Sequence, residues 1–298
     1  MSLSIVNPLA YPLAMVNFQN KSLLLLLALL CSAPAWAGGG WTPKKGNSYL
    51  KLSQYSILAQ HYYTPAGDRV PIVTTGVYIS SAYWEYGFTD RLALVAYAPL
   101  FVRSTLNRTV RPDGSLIAEG DMLNGIGDPE IRLKYQWIDQ NGWALATSIG
   151  VGLPLGNPSG GETQLLQSGD GELNQLLVVE GSRSFLGGKG YATAMVGINN
   201  RTRGFSEELR YGIEAGYRLG PVWLTGRLAG LESFKNGDDE LTVNNGIFSN
   251  NLEYLVFTPS VAWQAGKRWG ITADTGIALR GERILADPSY SVGVYFEF

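Results

Sequence analysis

The sequence predicts an all-β fold, a transmembrane antiparallel β-barrel of about twelve strands preceded by an export leader. Three observations predict it. The first residues have the layout of a secretory signal, the remainder divides into alternating segments whose links are short and long by turns, and the last segment ends in spaced aromatics.

The leader comes first. Lys21 is the only charged residue before Lys44, and the apolar run Leu23 to Leu30 follows it. Ala35-Trp36-Ala37 then makes an A-x-A cleavage pattern, with Gly38, Gly39 and Gly40 next. A positive residue, a short apolar core and a small-residue exit define a signal peptide over residues 1–37, leaving 38–298 for the barrel. The apolar run is too short for a membrane-spanning helix, which needs roughly 20 residues. No second positive charge precedes Lys21, which makes Met15 a candidate for the true start. Cys31 follows Ala28, Leu29 and Leu30, whereas a lipoprotein signal places a small residue immediately before its cysteine. Cleavage after Ala37 leaves a chain without cysteine, so disulfides and thiolate metal sites are excluded.

Composition narrows the class. The chain holds 37 Gly, 16 Tyr, 10 Phe and 8 Trp, and its mean hydropathy is near zero. Without Lys21 there are 22 basic residues against 25 acidic ones, a net charge of about −3 that offers no electrostatic case for nucleic acid. Past the leader no apolar stretch approaches a membrane helix. A chain of this kind spans a bilayer only as a closed barrel, where strands satisfy one another's backbone groups.

Twelve alternating segments follow, at about 47–57, 73–86, 91–102, 125–137, 143–153, 173–185, 190–200, 206–218, 222–232, 252–264, 269–280 and 290–298. Their length suits a tilted membrane strand with some overhang. Short links fall near 87–90, 138–142, 186–189, 219–221 and 265–268. Longer ones fall at 58–72, 103–124, 154–172, 233–251 and 281–289, with a shorter one near 201–205. This matches tight turns at the periplasmic end and longer loops outside.

Side chains alternate as the pleat demands. Ile131, Leu133, Tyr135 and Trp137 share one face, and Glu130, Arg132, Lys134 and Gln136 share the other. Leu209, Tyr211, Ile213, Ala215 and Tyr217 oppose Glu208, Arg210, Glu214 and Arg218. Trp269, Ile271, Ala273, Ile277 and Leu279 oppose Asp274 and Arg280. Aromatics cluster by the short turns (Trp84, Tyr86, Trp137, Trp143, Trp263, Trp269), in the manner of an interfacial girdle. The last segment places Tyr290, Val292, Val294, Phe296 and Phe298 on one apolar face. Gly293, Phe296 and Phe298 resemble the terminal signal that the barrel assembly machinery reads. The expected location is therefore the Gram-negative outer membrane, with its lipids as surroundings.

Two stretches carry a family resemblance. Gly125-Ile126-Gly127-Asp128-Pro129-Glu130, running into Ile131-Arg132-Leu133-Lys134-Tyr135, resembles a strand motif of the outer-membrane transporter family of the MetA pathway of phenol degradation. Tyr86-Gly87-Phe88-Thr89-Asp90-Arg91-Leu92 resembles that family's early turn. The resemblance implies uptake of aromatic or other small hydrophobic solutes, with no cofactor. Read from the residues alone, the glycines and Asp128 of the first motif serve equally well as structure.

Catalytic chemistry is sparse. His61 is the only histidine, in the predicted first outer loop, and residue 63 is Tyr where twelve-stranded barrel phospholipases carry Ser. A lipid-modifying enzyme would need a distant serine to reach His61. Asp238, Asp239 and Glu240 present hard oxygens of the kind Ca²⁺ takes, or simply a solvated acidic loop. Gly150 and Gly152 lack the Lys-Ser or Lys-Thr of a phosphate loop and face inward with Ala144, Ala146 and Ser148. They leave lumen space for a ligand or for larger side chains opposite.

The interior charges are the site candidates. Arg132, Lys134, Arg210, Arg218, Arg227 and Arg280 stand with Asp128, Glu130, Glu208, Glu214 and Asp274. Such groups either tune solute selectivity in a pore or pair with one another to fill a narrow barrel. The reading is a passive channel for small hydrophobic or aromatic solutes, not an enzyme. A closed structural or adhesive barrel is its rival.

Overall fold

A computed structural model describes residues 38–110, 113–238 and 249–298. The leader read over 1–37, together with Asp239 and Glu240 of the acidic loop, lies outside them. The strands are β1 (Ser48–Tyr63), β2 (Arg69–Gly87), β3 (Leu92–Leu106), β4 (Thr109–Val110), β5 (Leu116–Ala118), β6 (Asp121–Gly125), β7 (Glu130–Gln140) and β8 (Trp143–Gly152). They continue as β9 (Asn174–Phe185), β10 (Gly190–Arg201), β11 (Glu208–Leu219), β12 (Val222–Ser233), β13 (Glu253–Trp263), β14 (Trp269–Glu282), β15 (Ile284–Leu285) and β16 (Ser289–Glu297).

Neighbours in sequence pair antiparallel around the wall, and β1 pairs with both β2 and β16, so the sheet closes. β4 and β5 form a separate small hairpin, β15 is a two-residue return against β1, and β6 continues the wall position of β7. The result is a closed barrel of 12 strands. Closure removes the exposed edges that an open sheet would offer for aggregation. Among the described residues no helix is long and apolar enough to cross a membrane.

Every predicted segment is a strand, and the short links gather at the end that holds Ser48 and Phe298, here called the near end. One link is corrected. The sequence placed a long outer loop at 58–72 with His61 in it, but β1 and β2 run on as a hairpin and leave only 64–68 as its tip. Ile57, Ala59 and Val77 pack with Leu285 there, and this apolar cluster keeps the strands paired beyond the predicted boundary. His61 is a strand residue, next to a bulge after Ala59.

Outward-facing positions form a continuous apolar wall, with Leu52, Ile149, Leu177, Ile213, Leu224 and Ile271 all exposed. Water would penalise that much contiguous apolar surface, and a bilayer would not. Trp84, Trp137, Trp143, Trp263 and Trp269 lie exposed on the same face near the near end. Phe296 and Phe298 stack outward with ring centroids 6.4 Å apart. Ser48 and Phe298 exchange backbone hydrogen bonds of 3.2 and 2.9 Å, which joins the last residue to the first strand.

Candidate functional site

In the far half of the lumen the inward charges form a chain of ion pairs. Arg132 lies 3.0 Å from Glu130, and Arg210 lies 3.7 Å from Glu130 and 3.0 Å from Glu208. Arg201 continues the chain, 2.8 Å from Glu208 and 3.0 Å from Asp170. Glu130 stands on β7 and Arg210 on β11, with β8, β9 and β10 between them along the wall, so the 3.7 Å contact crosses the lumen. The Arg201 side chain is only 3% exposed, which requires the full set of partners it has. Sequence reasoning missed Arg201 and Asp170 because both fell in predicted links. Their signal was charge at strand ends beside a run of inward charges.

Asp128 belongs to the same region but performs another task. Its carboxylate accepts the backbone N–H of Gly156 and of Asp170, each at 2.6 Å, and so holds the link 153–173 inside the barrel. Ser104, inward on β3, donates to the Gln167 carbonyl at 2.5 Å. Asp121 accepts from Glu162 N at 3.0 Å and Thr163 N at 2.9 Å, and also from the Thr163 hydroxyl. Burial pushes the Asp121 carboxyl up, but the Thr163, Glu162 and Met122 donors outweigh it and hold it at about 2. Gly127 permits this packing: a Cβ there would lie 2.5 Å from the Pro99 ring and 3.1 Å from the Ser168 carbonyl. The Gly125–Glu130 motif is thus the seat of an in-folded loop. The link after β14 also turns inward, and Ile284 packs with Leu231 and Leu252.

Near the middle of their strands the inward charges behave differently. Arg227 stands opposite Glu214 in the β11–β12 register, yet Glu214 accepts the Tyr191 hydroxyl at 2.5 Å instead. Lys51 lies within electrostatic reach of Asp274, Arg227 and Glu214. Among the described residues Lys51, Arg227 and Asp274 take part in no hydrogen bond or ion pair of side chains, and Arg227 is exposed although it points inward. Aromatic rings border this stretch. Tyr49 stacks on Tyr295 at 5.8 Å and meets Tyr83 edge-on at 6.2 Å, while Tyr191 meets Trp223 at 5.5 Å.

Toward the near end the lumen closes again. Lys134 pairs with Glu180 at 3.0 Å and donates to the Gly39 carbonyl. Arg218 donates to the Gly220 carbonyl at 3.0 Å at the rim. Back at the far end, the space beside the inward glycines of β8 is also filled by neighbours: a Cβ on Gly150 would collide with Arg132 Cγ, and one on Gly152 would sit 3.0 Å from Asn174 Cβ.

Two sequence-predicted positions need correction or relocation. Arg280 is not in the lumen. The ladder between β13 and β14 slips between Leu255 and Val256, so Leu279 is bulged out and Arg280 changes face. On the outer face Arg280 donates to Glu232, and to the Tyr211 hydroxyl at 3.3 Å. His61 Nδ1 lies 3.0 Å from Asp287, which also takes Arg69 at 2.6 Å. Among the described residues no serine hydroxyl is hydrogen-bonded to His61, and no group of metal-ligating side chains is assembled.

The barrel is similar to the COG4313 outer membrane channel from Pseudomonas putida F1, with a TM-score of 0.59 and 15% identity over 89% of this chain and 100% of that one. It is similar also to the NanC porin, with a TM-score of 0.52 and 7% identity over 83% of this chain and 98% of that one. The fold is that of outer-membrane barrels. No family model matches the sequence, and no curated protein matches it. At these identities the likeness carries the fold alone, and the resemblance to the MetA-pathway family rests on the two stretches quoted above.

Proposed function

We propose that the chain is an outer-membrane channel that passes small hydrophobic or aromatic solutes down their gradient. One observation carries the reading. Arg227 is inward, exposed and without a hydrogen-bonded or ion-paired partner among the described residues, and the half-buried Lys51 and Asp274 near it likewise have no such partner among them. Unpaired charges in a dry interior cost far more than a fold can offset, so they require water around them. A hydrated middle is what a conduit needs. The inward, half-buried rings of Tyr49, Tyr83 and Tyr191 support an aromatic cargo, because they offer edges and part of their faces to a flat solute.

A closed structural barrel is favoured by the cross-lumen Arg210–Glu130 contact and by the in-folded link 153–173. Single-channel recording of the purified full chain in a planar bilayer separates the two. Discrete openings that aromatic solutes partly block are expected. A folded, heat-modifiable barrel that never conducts would sink the channel reading.

A further inference from the structure

We infer that the outer face of the barrel carries a lipid-phosphate site at its far end, built on Arg103 with Tyr78 and Thr105 beside it, and that a phosphorylated lipid of the surrounding leaflet occupies it. The site lies on the membrane side of the wall and is independent of whether the lumen conducts.

Arg103 faces outward on β3. In the ladders it stands opposite Tyr78 on β2 and Asn124 on β6. Tyr78 in turn stands opposite Ser56 on β1, and Ser56 opposite Tyr290 on β16. These residues make one polar rung across the outer face, above the apolar rung of Val294, Leu52 and Ala82. Arg103 comes eleven residues after Leu92, where β3 leaves the near end. At about 3.3 Å per residue and a tilt of about 40°, it stands about 28 Å up the wall, at the upper edge of an apolar band about 25 Å tall. The longer links gather at this end, so it faces the outer leaflet.

The wall leaves this charge without a counterion. Arg103 is exposed and, among the described residues, takes part in no hydrogen bond or ion pair of side chains. β1 and β3 contain no acid at all. Glu85, the one acid of β2, is buried toward the lumen, and Asp121, the one acid of β6, turns in to Glu162 and Thr163. Other outward cations at the far end are provided for: Glu232 holds Arg280, and Lys235 lies 3.1 Å from both Glu253 and Glu282. A cation at the membrane boundary with no acid beside it draws an anion, and a guanidinium takes phosphate oxygens two at a time. Hydroxyls gather beside it over Gly76, where a Cβ would lie 2.6 Å from Thr105 Oγ1 and 3.2 Å from the Tyr78 hydroxyl. Lower on the same strand, the ladder slips at Ser80–Ser81, leaves Leu100 unpaired and exposes Leu100 and Phe101 together. Two adjacent apolar side chains below a cation seat an acyl chain below its phosphate.

The test is native mass spectrometry of the full chain in detergent, each form first checked for heat-modifiable folding. Three probes are added in turn: diphosphorylated lipid A, the same lipid stripped of its phosphates, and inorganic phosphate. Wild type is expected to retain one diphosphorylated lipid, and Arg103→Gln to retain it about fivefold less, the effect of one cation at an anionic lipid surface. Arg280→Gln, which removes a cation already held by Glu232, should match wild type. Equal retention by wild type and Arg103→Gln would overturn the site. Equal retention of the stripped lipid would overturn phosphate as the group recognised. Inorganic phosphate bound as tightly as the lipid would overturn a membrane lipid as the occupant.

Discussion

Arg210 on β11 places a guanidinium nitrogen 3.7 Å from the Glu130 carboxylate on β7 and so ties opposite parts of the wall together across the lumen. Both carboxylates that Arg210 contacts have another partner: Glu130 keeps Arg132 at 3.0 Å, and Glu208, 3.0 Å from Arg210, keeps Arg201 at 2.8 Å. Arg210→Ala should therefore leave both acids paired, fold normally and widen the far half of the lumen. Recordings should show a larger unitary conductance than wild type.

Arg201 is the opposite case. Its side chain is 3% exposed between Glu208 and Asp170, and its guanidinium covers the Phe205 ring at 4.3 Å. Arg201→Ala removes one charged partner each from Glu208, which keeps Arg210 at 3.0 Å, and from Asp170, which keeps the Glu172 N–H at 2.8 Å, and should cost about 1.5–3 kcal/mol. Denaturant unfolding of the refolded barrel in detergent would read the loss, and a change within error would remove Arg201 from the supporting framework.

Asp128 gives a local test of the in-folded link. Asp128→Asn replaces an oxygen that accepts a backbone N–H with a group that donates, and should cost about 1.5–3 kcal/mol of local stability. Limited proteolysis should then cut within 154–172 while the barrel keeps its heat-modifiable mobility. Resistance equal to wild type would mean that Asp121 and Ser104 suffice to hold the link.

The same link should respond to acid. Asp121 has its carboxyl lowered from 3.8 to about 2 when folded, so its contribution is fully present above about pH 4 and is lost as pH falls through about 2. Asp287 at the far rim is also lowered. Burial pushes it up, but the Gln60 N–H, Arg69 and His61 together outweigh that. Relative to an unfolded control, pepsin should cut 154–172 faster near pH 1.5 than near pH 3, and Asp121→Asn should remove that difference. An equal relative rate for wild type at the two pH values would contradict the assignment.

His61 offers a check on enzymatic activity. Its Nδ1 is engaged by Asp287 at 3.0 Å and faces Arg69 at 3.1 Å, an arrangement that fastens the link after β14 to the rim. His61→Ala should leave conductance unchanged, and any lipid hydrolysis by the purified protein should persist at wild-type level. A hydrolytic activity that vanished with His61 would revive the enzyme reading.

Much of this protein was legible in its sequence. A period of two, as in Ile131, Leu133, Tyr135 and Trp137 against Glu130, Arg132, Lys134 and Gln136, determines which side chains meet lipid and which meet the lumen. The alternation of link lengths determines which ends of the strands lie together. These are local properties, set by the pleat and by turn chemistry over a few residues. The tertiary structure decided the rest. A single bulge at Leu279 moved Arg280 to the outer face, and no pattern within one strand marks it, because the slip is a relation between two strands. Arg210 meets Glu130, Asp128 holds Gly156, and Lys134 holds Gly39 only because closure brings distant segments onto one inner surface. Alternation tells a charge which way to point; closing the barrel chooses its partner.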